Sequence, residues 1–460
     1  MHPNRRVRSQ QRRTLRQIGK TDAYAFFDLL TDEATLDQVE SLLPTHRERL
    51  LPPTETLAMF MAQTLNADPS CQNAINEFSA RRVSGGLSAC STSTGAYCQA
   101  RLRLPQAMVS SLVRFTGQAM TTSAPPSGAW KGRPVRLVDG TTVSMADTPQ
   151  NQAAFPQPTT QKPGLGFPIS RLLGLFCLSS GAVLDAATCA YHGKGNDEQT
   201  LLRSLLDRLE PASVLVGDAF FATYFLLAEL HKRGIDGVFE QHGSRRLSTD
   251  FRCGRRLGER DHVIDLEKPK VRPSWMSETH YAQAPERLSV RELQVGGKTL
   301  VTTLLCAKQT TKNELKSLYR QRWHIELDFR HLKTTMGMEF LRSKSPAMAI
   351  KEIWVHLLAY NLIRRMMLQA SNMEHVLPRH LSFKHALQLC MAWRHTLTHL
   401  DADAADILLR LIAQRRVGQR PGRIEPRAIK RRPKPFPLLT QHRHLAREEL
   451  RLHGHPKKLK

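Results

Sequence analysis

The side chains best suited to chemistry on a phosphate lie in one segment, from Leu318 to Lys333. At about 3.6 residues per helical turn, four polar side chains of this segment fall within about 60° of one another on one stripe. They are Tyr319, Arg322, Glu326 and Lys333. The neighbouring stripe is apolar, as expected of a half-buried helix. The pattern frames one carboxylate with three groups that can hold phosphate, although an amphipathic basic helix with scattered ion pairs shows similar charges.

Two aspartates upstream follow apolar runs that predict buried strands. Asp139 stands in Leu-Val-Asp-Gly-Thr-Thr, and Asp218 stands in Leu-Val-Gly-Asp-Ala-Phe-Phe. Each acid also has a structural interpretation. Asp139 with its following glycine is typical of a hairpin turn, and Asp218 can cap the next helix. Glu326 can pair with Arg322 or Arg330 on its own helix.

The spacing in the first segment carries a family resemblance. Tyr, two residues, Arg, three residues, Glu, six residues and Lys resembles the signature of bacterial insertion-sequence transposases of the DDE type, in the insertion sequence four family. Asp139 and Asp218 resemble the first and second catalytic aspartates of that family. Residues 341–346, 356–364 and 420–427 also resemble family segments, so the similarity extends over nearly the whole chain.

This resemblance implies a set of site residues and a cofactor. Asp139, Asp218 and Glu326 would be the catalytic acids and would hold two Mg²⁺ ions, for which Mn²⁺ can substitute. Carboxylates supply the hard oxygen ligands that Mg²⁺ prefers and leave positions open for water and phosphate oxygens. The residues implied to contact DNA phosphates are Tyr319, Arg322 and Lys333.

The implied function is that of a DNA transposase. It would bind the terminal inverted repeats of its element, cleave the DNA in a metal-dependent reaction and transfer the 3′ ends to a target by a cut-and-paste route. Its partners would be double-stranded repeat and target DNA and, in a synaptic complex, a second copy of the chain. Two alternatives stay open: a non-transposing nuclease of the same core fold, and a catalytically silent DNA-binding descendant of a transposase.

The charge of the chain agrees with a polyanionic partner. Lysine and arginine number 67 against 41 acidic residues, which gives a formal net charge of +26. Such an excess is typical of proteins that bind nucleic acid. The most apolar stretches are too short or too interrupted to span a bilayer, and the N-terminus lacks the apolar core of a signal peptide. We therefore expect a cytoplasmic protein, associated with the nucleoid.

The order of predicted elements suggests the fold class. Three strands followed by a helix, a strand and a helix, together with the resemblance, indicate an α/β protein with a ribonuclease-H-like (retroviral-integrase-like) core. The predicted organisation is a basic arm at 1–20, a helical and DNA-binding domain at 21–128, the first part of the core at 129–240, a β-rich insertion at 241–308, the second part of the core with C-terminal helices at 309–410, and a basic tail at 411–460.

Local sequence patterns also predict individual elements. Helices are expected at 23–30, 55–65 with Thr54 as cap, and 107–120. A two-residue turn at Gly296 and Gly297 predicts a hairpin, and a capping box is expected to begin the helix after residue 310. Trp323 is interpreted as a core residue or as a stacking surface for bases, and Trp275 is the tryptophan within the insertion.

Overall fold

The computed structural model describes residues 41–43, 50–125, 128–246, 249–393, 402–418 and 441–454. Three predictions lie outside these residues: the basic arm at 1–20, the helix at 23–30 and the family-like segment at 420–427. Within the described ranges, no helix combines the length and the apolar character needed to cross a membrane.

Four helices precede the first strand in the described part of the chain. They are α1 (Pro53–Leu65), α2 (Cys71–Ser84), α3 (Gly95–Arg103) and α4 (Gln106–Thr122). The predicted helices at 55–65 and 107–120 are confirmed, with bounds that differ by at most two residues. The expected cap at Thr54 is wrong, because α1 already begins at Pro53, where the missing N–H of proline costs no hydrogen bond.

One mixed sheet of nine strands forms the centre of the described structure. The strands are β1 (Val135–Ser144), β2 (Ile169–Cys177), β3 (Val183–Ala190), β4 (Val214–Gly217), β5 (Asp236–Glu240), β6 (Arg255–Gly258), β7 (Asp261–Glu267), β8 (Arg287–Val295) and β9 (Lys298–Thr302). Their order across the sheet is β3-β2-β1-β4-β5-β9-β8-β7-β6. β1 is antiparallel to β2 but parallel to β4, and β4 is parallel to β5.

Short helices connect several of these strands. They are α5 (Pro149–Ala154), α6 (Glu198–Arg203), α7 (Tyr224–Lys232), α8 (Gly243–Arg246) and α9 (Glu278–Gln283). α6 lies in the crossover from β3 to β4, and α7 lies in the crossover from β4 to β5. The parallel neighbours β4 and β5 require such a crossover, since a tight turn cannot bring the chain back to the same end of the sheet.

The register between β1 and β4 determines where the two aspartates lie. The last parallel pair is Leu137 with Val216. Asp139 and Asp218 each stand two residues beyond that pair, so they lie level with each other at the carboxyl end of the parallel pairing. Asp139 is itself paired with Gly174 of β2, inside β1. The hairpin-turn interpretation of Asp139 is therefore wrong, because β1 continues to Ser144 and stays paired with β2 over that length.

The strands of the region predicted as an insertion extend this same sheet. β9 pairs antiparallel with β5, and β8, β7 and β6 follow outward. The predicted hairpin is confirmed between β8 and β9, where Val295 pairs with Lys298. Gly296 and Gly297 have φ angles of 56° and 81°. Glycine suits this two-residue turn because both positions need a positive φ.

The helices after the sheet are α10 (Lys312–Arg320), α11 (Trp323–Arg330), α12 (Pro346–Met373), α13 (Phe383–Trp393), α14 (Ala402–Gln414) and α15 (Arg443–His453). The predicted capping box is confirmed at Thr311 and Glu314. The prediction of one continuous helix from Leu318 to Lys333 is wrong. The backbone leaves the α-helix at Gln321, resumes it at Trp323 and ends in a π-helical turn over His331–Thr335.

A buried ionic network holds α11 against α12. Asp328 is fully buried, and its Oδ1 accepts hydrogen bonds from the Tyr360 hydroxyl at 2.9 Å and from Nη2 of Arg364 at 2.6 Å. Its Oδ2 accepts from Nη2 of Arg379 at 3.0 Å. Burial alone would raise the pKa of Asp328, but the two arginines outweigh it and hold the pKa below its usual range. Two helices and the chain near Arg379 are thus tied to one carboxylate.

Asp328→Asn should destabilise the protein strongly. The substitution keeps the shape of the side chain but leaves the buried Arg364 without full charge compensation, which costs about 3–5 kcal/mol. We expect a marked fall in the thermal midpoint measured by circular dichroism. Asp250→Asn is the matched control, because its partner Arg252 is almost fully exposed. Equal losses of midpoint in the two variants would contradict a special role for the buried network.

Candidate active site

Side chains of β1 alternate between the two faces of the sheet, and this alternation orients Asp139. Leu137 and Val143 join the apolar core that includes α12, whereas Val138 joins the core that includes α6 and α7. Asp139 therefore shares the α12 face of the strand, and Gly140 faces the opposite side. The strand thus presents the Asp139 carboxylate toward the side of the sheet where α11, the helix that carries Glu326, packs.

Asp139 is a half-buried acid in an environment of mixed charge. Its Oδ1 accepts a hydrogen bond from the N–H of Gly140 at 2.8 Å, and its Oδ2 accepts one from Nη1 of Arg322 at 3.2 Å. Burial raises the pKa of Asp139 to about 6. The negative charges of Asp218 and Glu198 also raise this pKa, whereas the positive charge of Arg322 lowers it. Uncompensated negative charge therefore accumulates at this end of the sheet.

Asp218 has a capping role as well as its place beside Asp139. It follows β4 directly, and its Oδ1 accepts a hydrogen bond from the N–H of Phe220 at 2.9 Å. It thereby caps a single 3₁₀ turn, Ala219–Phe221, and not the longer helix α7. The cap orients the carboxylate, and its charge influences the pKa of Asp139.

Glu326 meets Asp139 through a shared arginine. Arg322 lies immediately before α11, and Glu326 lies on the first turn of that helix. Nη2 of Arg322 donates to Oε1 of Glu326 at 2.7 Å, while Nη1 binds Asp139. The guanidinium thus bridges two of the predicted acids, which are 187 positions apart in the chain. The pairing of Glu326 with Arg322, an alternative at the sequence level, is present together with the convergence of the acids.

The other two predicted DNA-contacting residues make separate contacts with the sheet. Lys333 belongs to the π-helical turn, and its Nζ donates to Oγ1 of Thr141 at 3.4 Å, on the same strand face as Asp139. The Tyr319 hydroxyl donates instead to Oε2 of Glu240 at 3.3 Å, at the end of β5. Burial raises the pKa of Tyr319, and the neighbouring Glu240 raises it further. Tyr319 is therefore buried and neutral.

The tryptophans differ from one another in their surroundings. Trp323 is 58% exposed, so its interpretation as a core residue is wrong. It lies at the start of α11, one residue after Arg322. A second exposed ring belongs to Phe220, two residues after Asp218, which is 39% exposed. Trp275 is elsewhere: its ring lies 3.8 Å from the guanidinium carbon of Arg203 and packs against the ring of Phe225.

Sequence reasoning missed two residues close to the acids. Glu198 begins α6, and its charge acts on both Asp139 and Asp218. Arg171 of β2 binds Glu198, with Nη1 at 2.8 Å from Oε1. The sequence contained a signal for Glu198. It is the first residue of the helix that follows the third strand, and the crossover to the next parallel strand brings that position to the same edge as Asp139.

The donor chemistry of the cluster fits Mg²⁺. Carboxylate oxygens are the ligands that Mg²⁺ prefers, and oxygens of Asp139 and Glu326 converge on one cationic group, the Arg322 guanidinium. Among the described residues, no three His, Cys, Asp or Glu side chains are arranged to hold a metal ion together. Arg322 thus stands in for a cation between two of the acids, and a metal ion would have to replace it.

Comparison with known proteins points to one family. The transposase DDE domain family matches residues 130–362, just over half of the chain. The transposase InsG for insertion sequence element IS4 of Escherichia coli K12 is 29% identical over 354 residues, which cover 74% of this chain and 77% of InsG. The putative transposase InsL for element IS186A of the same organism is 37% identical over 71 residues, 15% of this chain and 19% of InsL.

A solved structure of a piggyBac transposase synaptic complex with hairpin DNA aligns with 88% of this chain and 87% of its own, at a TM-score of 0.42 and 9% identity. The family match covers Asp139 in β1, Asp218 directly after β4, and Glu326 in α11. From this match and the InsG similarity, the chain belongs to the DDE transposases of the insertion sequence four family and is a DNA transposase.

Proposed function

We propose that this transposase cleaves DNA at the ends of its own element and joins the 3′ ends to a target, with Asp139, Asp218 and Glu326 as its catalytic acids. The observation that carries the proposal is the convergence of Asp139 and Glu326 on one guanidinium, level with Asp218 at the end of the parallel strands. A single polar site at that edge can act on a phosphodiester.

The strand order supports a ribonuclease-H-like core for this activity. β3, β2 and β1 are successive antiparallel neighbours, and β4 and β5 continue parallel to β1. We assign this core to residues 129–240 and 309–410, separated by the β-rich insertion at 241–308 that widens the sheet. The helical domain at 21–128 would bind DNA, as would the basic arm at 1–20 and the tail at 411–460.

The acids need a divalent cation for this reaction. Two Mg²⁺ ions, or Mn²⁺ in their place, would activate the attacking oxygen and stabilise the leaving oxygen. Asp139, Asp218 and Glu326 would hold them, since each carboxylate stands at the same edge of the sheet. The raised pKa of Asp139 indicates that the site gains from a further cation.

Arg322 would exchange partners during the reaction. Without DNA its single positive charge is shared between Asp139 and Glu326. A phosphate of the bound DNA can replace both carboxylates, because the planar fork of arginine donates two hydrogen bonds to one phosphate. The same side chain would therefore offset part of the negative charge of the site before DNA binds and then hold the DNA beside it.

Lys333, Tyr319 and Trp323 would complete the DNA contact. Lys333 lies beside Thr141 on the strand face of Asp139 and can reach a phosphate as a point charge. Tyr319 could contribute only its hydroxyl, after release from Glu240. The exposed ring of Trp323 offers a surface on which an unpaired base can stack.

The partners follow from this chemistry. Double-stranded DNA of the terminal inverted repeats and of the target would occupy the basic surface, in line with the net charge of +26. A cut-and-paste route needs both ends of the element in one complex, so we propose a homodimer in the synaptic state. Each protomer would then supply one set of acids.

Glu326→Gln should abolish cleavage and spare binding. The substitution keeps size and helix propensity but removes one negative ligand, and we expect a loss of at least about a thousandfold in rate, or roughly 4 kcal/mol. Asp139→Asn and Asp218→Asn should behave alike, and combined variants should be hardly worse than single ones. The measurement is the cleavage rate of a duplex carrying the element's terminal repeat, under saturating Mg²⁺.

Glu229→Gln on α7 is the matched control for this series, because Glu229 forms a surface pair with Arg233 away from the acids. It should cleave normally. A Glu326→Gln variant with the wild-type rate would refute the catalytic assignment. Wild-type protein that binds repeats and never cuts would identify a silent descendant, and cutting without regard to repeats would identify a nuclease.

Arg322→Ala should separate metal binding from DNA binding. Arg322 competes with a metal ion for Asp139 and Glu326, and removing the guanidinium ends this competition. Each charged hydrogen bond contributes roughly 1.5–3 kcal/mol, so Mn²⁺ should bind the DNA-free variant at least about tenfold more tightly than the wild type. Repeat DNA should bind more weakly. Lys333→Ala should weaken DNA binding alone. Weaker Mn²⁺ binding by Arg322→Ala, measured by electron paramagnetic resonance, would exclude competition.

Removal of the basic tail should flatten the salt dependence of DNA binding. The cut must follow Gly418, because the backbone of Arg416 and Val417 pairs with Leu381 and His380 and belongs to the folded part. If the tail neutralises four phosphates, it contributes roughly −3 to −4 to the slope of log affinity against log salt. Fluorescence anisotropy at several salt concentrations measures this slope. Unchanged affinity and slope after truncation would exclude a DNA contact by the tail.

A further inference from the structure

The side chain of Glu198 lies against Gly140, where the absence of a side chain leaves space for it. A Cβ added to Gly140 would lie 2.2 Å from Cδ and 2.3 Å from Oε1 of Glu198. Gly140 lies inside β1 and does not have a positive φ, so its backbone conformation does not require glycine. The absence of a side chain at this position instead makes room for the Glu198 carboxyl group next to the residue that follows Asp139.

Arg171 fixes the direction of Glu198. Its backbone pairs with Thr142 on the neighbouring strand, two residues from Gly140. Its Nη1 binds Oε1 of Glu198 at 2.8 Å, its Nη2 donates to the carbonyl of Tyr191 at 3.4 Å, and its guanidinium carbon lies 5.0 Å from the centre of the Tyr191 ring. The arginine is thus held on two sides and presents Glu198 in one orientation.

The second oxygen of Glu198 is open. The pair with Arg171 is partly accessible, with 22% and 17% of the two side chains exposed, and Oε2 accepts no hydrogen bond within the described ranges. The start of α6 lies near both aspartates. The Glu198 carboxyl group lies against Gly140, the residue after Asp139, and the side chain of Gln199 donates to the carbonyl of Phe220, two residues after Asp218, at 2.7 Å. A carboxylate that an arginine orients, with one free oxygen and a negative charge at the edge of the sheet that carries the two aspartates, can orient the water of a bound cation.

We propose that Glu198 is a fourth acidic residue of the active site, a positioning residue that Arg171 holds in the space beside Gly140 so that its charge and free oxygen favour a divalent cation at Asp139 and Asp218. The proposal rests on the proposed function, because it assumes a metal ion at those two residues. A purely structural ion pair between α6 and β2 would leave metal binding unchanged when its charge is removed.

Direct binding of Mn²⁺ to the full-length, DNA-free protein tests the proposal. Glu198→Gln should weaken Mn²⁺ binding by roughly 10- to 100-fold, the usual effect of losing a residue that supports metal ligands. Glu229→Gln, the remote surface variant, should bind like wild type. Electron paramagnetic resonance of free Mn²⁺ measures the affinity. Wild-type affinity in a folded Glu198→Gln variant would overturn the proposal.

Gly140→Ala provides an independent route that leaves Glu198 intact. The added methyl group must displace the carboxyl group, so this variant should also lose Mn²⁺ affinity. In a Glu198→Ala background the same change should cost nothing further, because the two substitutions act through one contact. Equal and additive losses in both backgrounds would show that Gly140 acts on its own and would contradict the proposal.

The failure of this inference is distinguishable from failure of the proposed function. Asp139→Asn should remove Mn²⁺ binding at the site and cleavage together, whereas Glu198→Gln should shift the half-saturating Mg²⁺ concentration for cleavage upward by a similar 10- to 100-fold. If Asp139→Asn binds Mn²⁺ like wild type, the proposed metal site is wrong, and the role of Glu198 falls with it. If Asp139→Asn loses binding and Glu198→Gln does not, only the role of Glu198 is wrong.

Discussion

The early end of the parallel pairing between β1 and β4 is the constraint on which the rest of the site depends. The last pair joins Leu137 to Val216, although β1 itself runs on to Ser144. Beyond that pair β1 keeps its antiparallel partner β2 and loses its parallel one. Polar side chains can then lie at this end of the parallel pairing without interrupting buried hydrogen bonds between strands. Asp139 and Asp218 are level there because each lies two residues beyond the last pair.

The third acid reaches this edge through a separate anchor. Glu326 lies on α11, and α11 is tied to α12 by the buried Asp328 and its two arginines. Buried ion pairs of this kind add little to stability when compared with apolar packing, but they permit only one arrangement of their partners. The network therefore favours one placement of Glu326 above β1, while the strand register independently places the aspartates.

The crowding of acids explains why arginines surround them. Three carboxylates at one edge repel one another, and burial raises the cost, as the pKa of Asp139 near 6 indicates. Arg322 offsets the repulsion between Asp139 and Glu326, and Arg171 offsets the charge of Glu198. Both arginines bind their acids through partly buried contacts.

The local sequence determined those features that depend on neighbouring residues: the turn at Gly296 and Gly297, the capping box at Thr311 and Glu314, and the spacing that marks the family. It could not show that Asp139 lies within a strand, because an Asp-Gly dipeptide suits a hairpin equally well and only pairing with Gly174 excludes it. Nor could it show the break before Trp323 or the exposure of that ring, since the helical period continues across both. Glu198 and Arg171 meet only through the register of β1, β2 and α6, and long-range register depends on how the whole sheet packs.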